Sequence, residues 1–178
     1  MKELLQIARD AIRAKLEGFE IDKEALIKKY PDLAKKQAVF VTLTLDNNLR
    51  GCIGSLIAHR SLIDDLIHNA QSAAFGDPRF SPLTKEEFER VKIELSLLSE
   101  PTKVEYDDVS DLKQKIQIGV DGVILKLGSY QATFLPQVWE QLNSFDLFFA
   151  HLCQKAGLNY ECLNEHPDIY TYHVEKIK

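Results

Sequence analysis

Ala38-Val39-Phe40-Val41-Thr42-Leu43-Thr44-Leu45, then Asp46-Asn47-Asn48, then Leu49-Arg50-Gly51-Cys52-Ile53-Gly54-Ser55-Leu56: this stretch decides the fold. Its first eight residues alternate and are rich in β-branched side chains, which predicts a strand. Asp-Asn-Asn is turn chemistry, so Leu49–Leu56 is expected to return as an antiparallel partner. Working outward, Leu4, Leu5, Ala8, Ala11, Ile12 and Leu16 recur at helical spacing over residues 2–17, and Gly18 stops the run. Asp22 caps a short helix to Lys29. Ser61 caps another over 61–75, whose Leu62, Ile63, Leu66, Ile67, Ala70, Ala73 and Ala74 form one apolar stripe. Thr84 and Glu87 make a capping box. Val91–Ser99 alternates as a strand, and 111–116 reads as a brief helix. Gly122–Leu127 and Tyr130–Leu135 flank Gly128-Ser129 as a hairpin, 145–157 is a helix stopped by Gly157, and Ile169–Ile177 reads as a last strand. About six hairpin-linked strands with four to five helices predict an α+β fold on a mainly antiparallel sheet, not a doubly wound one.

The chain has 178 residues, 45% hydrophobic and 28% charged, with net charge −5. That fits one domain or two lobes that need no staple to fold. The acidic balance gives no electrostatic footprint for nucleic acid. No apolar run reaches the ~18–20 residues of a membrane span. The charged N-terminus lacks the apolar core of a secretory signal. Three cysteines form no dense framework, so free thiols in a reducing cytoplasm are expected.

Arg50-Gly51-Cys52-Ile53-Gly54 is the unusual element. Glycines in a strand signal a bulge or a close approach to the backbone. Period two places Arg50, Cys52 and Gly54 on one face, and a guanidinium that near favours a thiolate. Gly51 and Gly54 amides can donate to an anion, and Arg50 can fork onto a carboxylate or phosphate. The alternative is that Cys52 is a small buried hydrophobe and Arg50 a structural ion pair. Asp77-Pro78-Arg79-Phe80 is a loop in which Asp77 and Arg79 can orient a substrate. In the plainer account Asp77 caps the turn, Phe80 plugs the core and Arg79 pairs with a carboxylate.

Leu49-Arg50-Gly51-Cys52-Ile53-Gly54, Ala73 to Leu83 (Ala-Ala-Phe-Gly-Asp-Pro-Arg-Phe-Ser-Pro-Leu), Leu135-Pro136-Gln137-Val138 and Leu152-Cys153-Gln154-Lys155-Ala156-Gly157-Leu158 follow in order. Together they resemble the AMMECR-type domain family, known in bacteria and archaea as protein A of the AmmeMemoRadiSam system. The resemblance spans roughly residues 4–177, with Glu100–Ile118 matching no block. It implies a two-lobed α+β fold over the whole chain, 1–178, with a cleft near the Arg-Gly-Cys-Ile-Gly strand. The system name implies Memo-like and radical-SAM proteins as company. Site residues carried over are Cys52 as candidate nucleophile or thiol ligand, and Arg50, Gly51, Gly54, Asp77, Arg79 and Gln137 for ligand binding. No cofactor is named.

His151, Cys153, Cys162 and His166 do not make a metal quartet, because residues two apart on a helix face opposite ways. Cys153 is expected in the core. His68, four residues after Asp64, reads as a surface pair. His59 can act as a base for Cys52 only if the chain folds back; otherwise it is a loop histidine. Glu94 lines the cleft or faces water. Gly119-Val120-Asp121-Gly122 precedes a strand and so lacks dinucleotide-site context. Three functions are open: an enzyme or enzyme partner acting on a small anionic metabolite, a non-catalytic adaptor for the two partners, and, weakest, a nucleic-acid-linked regulator.

Overall fold

The computed structural model describes residues 2–178. The chain divides into two units, one of residues up to Leu98 with Glu175–Lys178, the other Ser99–Val174. The first contains helices α1 (Lys2–Glu17), α2 (Lys23–Lys29), α3 (Leu62–Phe75) and α4 (Lys85–Arg90), and strands β1 (Val39–Leu45), β2 (Asn48–Gly54), β3 (Lys92–Leu98) and, at the chain's end, β8 (Val174–Ile177). Its sheet order is β2-β1-β3-β8. The second unit carries β4 (Thr102–Val104), α5 (Val109–Lys115), β5 (Gly122–Leu127), β6 (Tyr130–Phe134), α6 (Phe145–Lys155) and β7 (Asp168–Tyr172), ordered β4-β7-β5-β6 in the sheet. The α+β class and the antiparallel pairing agree with the sequence patterning.

Three expectations need correction. Among the described residues eight strands form two four-stranded sheets, where one sheet of about six was expected. The single strand expected over 169–177 breaks at His173 into β7 and β8, which join different sheets. Alternation continues across the break, so periodicity cannot show it. The third concerns the cysteines: Cys153 and Cys162 are joined by a disulfide, leaving Cys52 as the free thiol. Cys153, at the end of α6, and Cys162, on the 3-10 turn Cys162–Glu165, are both buried. The helix stop at Gly157 returns the chain so that the two meet. Among the described residues no helix is long and apolar enough to cross a membrane.

Local physics explains the first unit. Asp46 and Asn47 have φ of 52° and 64°, the left-handed pair of a type I′ turn, so the β1–β2 hairpin closes on two residues. Ser61 and Thr84 accept the main-chain N–H groups of Asp64 and Glu87, as the capping motifs require. Val39, Val41, Leu43, Leu95 and Leu97 bury one face of the sheet in a core with α1 and α3. The second unit has its own core, centred on Trp139 stacked against Phe148 with ring centres 3.6 Å apart.

Candidate functional site at the Cys52 strand

The hairpin register decides where Cys52 points. From the turn, Leu45 pairs with Asn48 and Thr44 with Leu49; beyond that Leu43 pairs with Gly51 and Thr42 with Cys52. Arg50 is the extra residue of a β-bulge. Without it Cys52 would oppose Val41 and face the core. With it, Cys52 opposes Thr42, whose other neighbour is Glu94 on β3. Cys52, Thr42 and Glu94 thus form a row across three strands on the face away from the core. Cys52 Sγ lies 3.4 Å from Thr42 Oγ1, and the residue is half-buried.

β2 is an edge strand, and edge strands present unpaired main-chain groups. The loop after α3 covers those of Cys52. Its N–H donates to Asp77 Oδ2 at 2.9 Å, and its carbonyl accepts from Arg79 Nη2 at 3.3 Å. Asp77 is buried, with a side chain only 2% exposed. Arg79 forks onto it, Nε to Oδ1 at 3.0 Å and Nη2 to Oδ2 at 2.7 Å, and the Arg79 N–H closes an Asx turn on Oδ1. The Arg79 guanidinium, and then the donated N–H groups of Cys52 and Arg79, hold the Asp77 carboxyl well below the usual carboxylate range, against the opposing effect of burial. The Asp77 carboxylate in turn raises Arg79 above its ordinary value. The Arg79 side chain remains 54% exposed, so its cation faces solvent beside the thiol strand.

Arg50 does not serve as the cation beside the thiol, as period two had suggested. The bulge sends its side chain to α4, where Nε and Nη2 fork onto Glu87 at 2.9 and 2.8 Å and Nη2 also donates to the Ser81 carbonyl. Glu87 is drawn below its ordinary range, first by Arg50 and then by the Thr84 N–H it accepts within the capping box. Phe80 lies between the two arginines, its ring centre 5.7 Å from the Arg50 guanidinium carbon and 5.5 Å from that of Arg79. The plainer account of Asp77 as a turn cap and of Arg50 and Arg79 as ion-paired is what the geometry displays. Its Phe80 is the exception, sitting half-buried between cations rather than in the core.

The glycines are explained by close packing within the chain. A Cβ on Gly51 would sit 2.1 Å from the Ala73 carbonyl oxygen of α3, and one on Gly54 would sit 2.2 Å from the Phe40 ring. Gln137 belongs to the second unit, exposed on the 3-10 turn Pro136–Glu140; the assembly around Cys52 is built by the first unit alone. His59 and His68 are exposed, and Asp64 pairs with Lys23 rather than with His68. His166 stacks on Tyr106 at 4.2 Å and Cys153 bonds Cys162, so the supposed quartet is accounted for otherwise. Among the described residues no group of three His, Cys, Asp or Glu side chains is placed to hold a metal. Sequence reasoning missed Thr42 and Glu87 as partners of Cys52 and Arg50. The two-residue turn by itself places Cys52 opposite Val41, and the Thr42–Cys52 pairing follows only from the bulge at Arg50.

Comparison with known proteins agrees with this architecture. The AMMECR1 family profile matches residues 5–177. A protein of Methanothermobacter thermautotrophicus is 38% identical over 173 residues, covering 96% of this chain and 88% of its own. Protein NEQ441 of Nanoarchaeum equitans is 38% identical over 176 residues, covering 95% of this chain and 94% of its own. The crystal structure of uncharacterized protein PH0010 from Pyrococcus horikoshii superposes with a TM-score of 0.79 at 35% identity, covering 97% of this chain and 88% of that one. A profile match over nearly the full length, relatives at this identity and a shared fold have one meaning: the chain belongs to the AMMECR1 family.

Proposed function

We propose that the domain binds a small anionic metabolite on the Cys52 strand, with the Cys52 thiol as the reacting or ligating group and Arg79 as the exposed cation that draws the anion in. The reading rests on one observation: the single free thiol is half-buried, its main chain is held on the edge side by Asp77 and Arg79, and its sulfur lies beside the Thr42 hydroxyl. A thiol held in place near an unburied guanidinium suits a nucleophile or thiol ligand. Arg50 and Asp77 set the strand and loop in position, and Gly51 and Gly54 allow the packing that fixes them. Memo-like and radical-SAM proteins are the partners this reading places in the same pathway. The test is alkylation of the native protein by iodoacetamide, followed at the Cys52 peptide by mass spectrometry. Modification within minutes, at a rate near or above that of the unfolded chain, supports it. A thiol inert until the protein unfolds contradicts it.

A second reading, an adaptor that docks those partners without catalysis, is favoured by Leu49, Leu56 and Ile57. These large apolar side chains are exposed on β2 and the loop that follows it. Capture of the partners that survives Cys52→Ala and fails on Leu56→Asp/Ile57→Asp would favour it over the first.

A further inference from the structure

The thiol row borders a recess that the reading above does not use. Its volume is about 650 Å³, and Thr42, Thr44, Arg9, Lys92, Glu94 and Lys178 line it, with Leu5 and Ile93 as its apolar wall. The volume is within the range of small-molecule sites.

Its charges do not cancel. Lys178 is matched by Glu94 at 2.8 Å, and Lys176 also approaches that carboxylate at 3.7 Å. Arg9 spends its guanidinium on two main-chain carbonyls, those of Phe88 at 3.2 Å and Val91 at 2.6 Å, and among the described residues no carboxylate pairs with it. Among the described residues Lys92 has no carboxylate within ion-pair distance. Two uncompensated cations thus share a concave surface in a chain of net charge −5. A recess with walls of low dielectric focuses that field. Two hydroxyls, on Thr42 and Thr44 of β1, stand between Lys92 on β3 and Cys52 on β2.

The ladder sets the dimensions. Lys92 pairs with Thr44, while Glu94 and Cys52 both pair with Thr42, so Lys92 and Cys52 are one strand repeat apart along the sheet and two strand spacings apart across it. Those offsets put Lys92 about 8 Å from Thr42 and about 12 Å from Cys52 along the sheet surface. We infer that this recess binds a short-chain acid, its anionic group at Lys92 and Arg9 and its chain directed toward Thr44 and Thr42 beside Cys52. The contact with the thiol rests on the reading proposed above. The binding of the acid does not.

The experiment is a two-dimensional ¹H–¹⁵N NMR titration of the whole chain at low salt, with hexanoate, a monoanion carrying a short apolar chain, as probe and hexanamide as neutral control. Shifts confined to the amides of Thr42, Thr44, Asn47, Lys92 and Glu94, larger for hexanoate than for hexanamide, support the site. Lys92→Gln should weaken hexanoate about fivefold, the size of one partly exposed charge contact. Lys85→Gln, an exposed lysine on α4 outside the recess, should leave it unchanged. Lys92 is exposed on the sheet face, so loss of folding does not confuse the result. Scattered shifts, equal response to the amide, or indifference to Lys92→Gln overturns the assignment. If the recess binds hexanoate while Cys52 resists alkylation, the thiol reading fails and the recess stands.

Discussion

The carboxylate of Asp77 accepts the main-chain N–H of Cys52 at 2.9 Å, and the arginine it forks, Arg79, donates to the carbonyl of the same cysteine. A loop side-chain pair here does what a neighbouring strand would otherwise do. Pointing both main-chain groups of Cys52 outward makes Thr42 and Cys52 the narrow kind of antiparallel pair, whose side chains lie closest. The short contact from sulfur to hydroxyl follows from that.

Asp77 should make stability depend on acid. Its folded carboxyl titrates below the usual carboxylate range, so the unfolded chain binds that proton first as pH falls. The stabilisation is complete above the unfolded value of ~3.9 and is lost as pH drops through the lower folded value. Asp77→Asn should remove this part of the slope in urea denaturation below about pH 4. Asp77→Ala should cost about 2 kcal/mol at neutral pH, since it leaves the Cys52 N–H and Arg79 without their acceptor. Equal acid slopes for wild type and Asp77→Asn would refute the assignment.

Gly51→Ala should destabilise the first unit by about 2–3 kcal/mol, because its methyl group would meet main chain of α3 and not a side chain that can swing away. Thermal denaturation measures it. A wild-type melting temperature in Gly51→Ala would show that strand and helix are not in this contact.

Arg50 and Glu87 should behave as one unit. Arg50→Lys keeps the charge but cannot fork, so it should lose most of the stability that Arg50→Met loses. A double-mutant cycle with Glu87→Gln should give a coupling of about 1 kcal/mol, modest because Glu87 is partly exposed. Zero coupling would separate the bulge from the α4 cap.

The cysteines give a simple count. Unfolded without reductant, the chain should take up one equivalent of iodoacetamide; after reduction it should take up three. Reduction should cost the second unit about 2–3 kcal/mol, as expected for a short closed loop. Three equivalents without reductant would contradict the Cys153–Cys162 bond.

Much of the fold could be read from sequence because it rests on local rules. The Asp46-Asn47 turn, the Ser61 cap and the Thr84–Glu87 box each specify an element by nearby chemistry. What escaped depends on relations between distant residues. Nothing in the alternation of 169–177 marks the change of sheet at His173, and β4 is three residues long, too short for a period to show. At the site the residue names were legible but their geometry was not. One inserted residue, Arg50, turns Cys52 from the core to the Thr42 face and moves its own guanidinium to Glu87. The glycines signalled close approach, and the approaching groups are Ala73 and Phe40. A pairing across nine residues at the end of α6 could not be told from two buried thiols.

The proposed chemistry needs Cys52 to be a placed, accessible thiol served by the Arg79 cation. The most direct measurement is the ratio of its alkylation rates with iodoacetate and iodoacetamide across pH, in the native protein and in Arg79→Gln. Cys52 should react in the folded state, with a ratio above that of an unfolded Cys52 peptide, and that ratio should fall in Arg79→Gln and at high salt. A native Cys52 that reacts with neither reagent, or a ratio that ignores both Arg79 and salt, would contradict that chemistry.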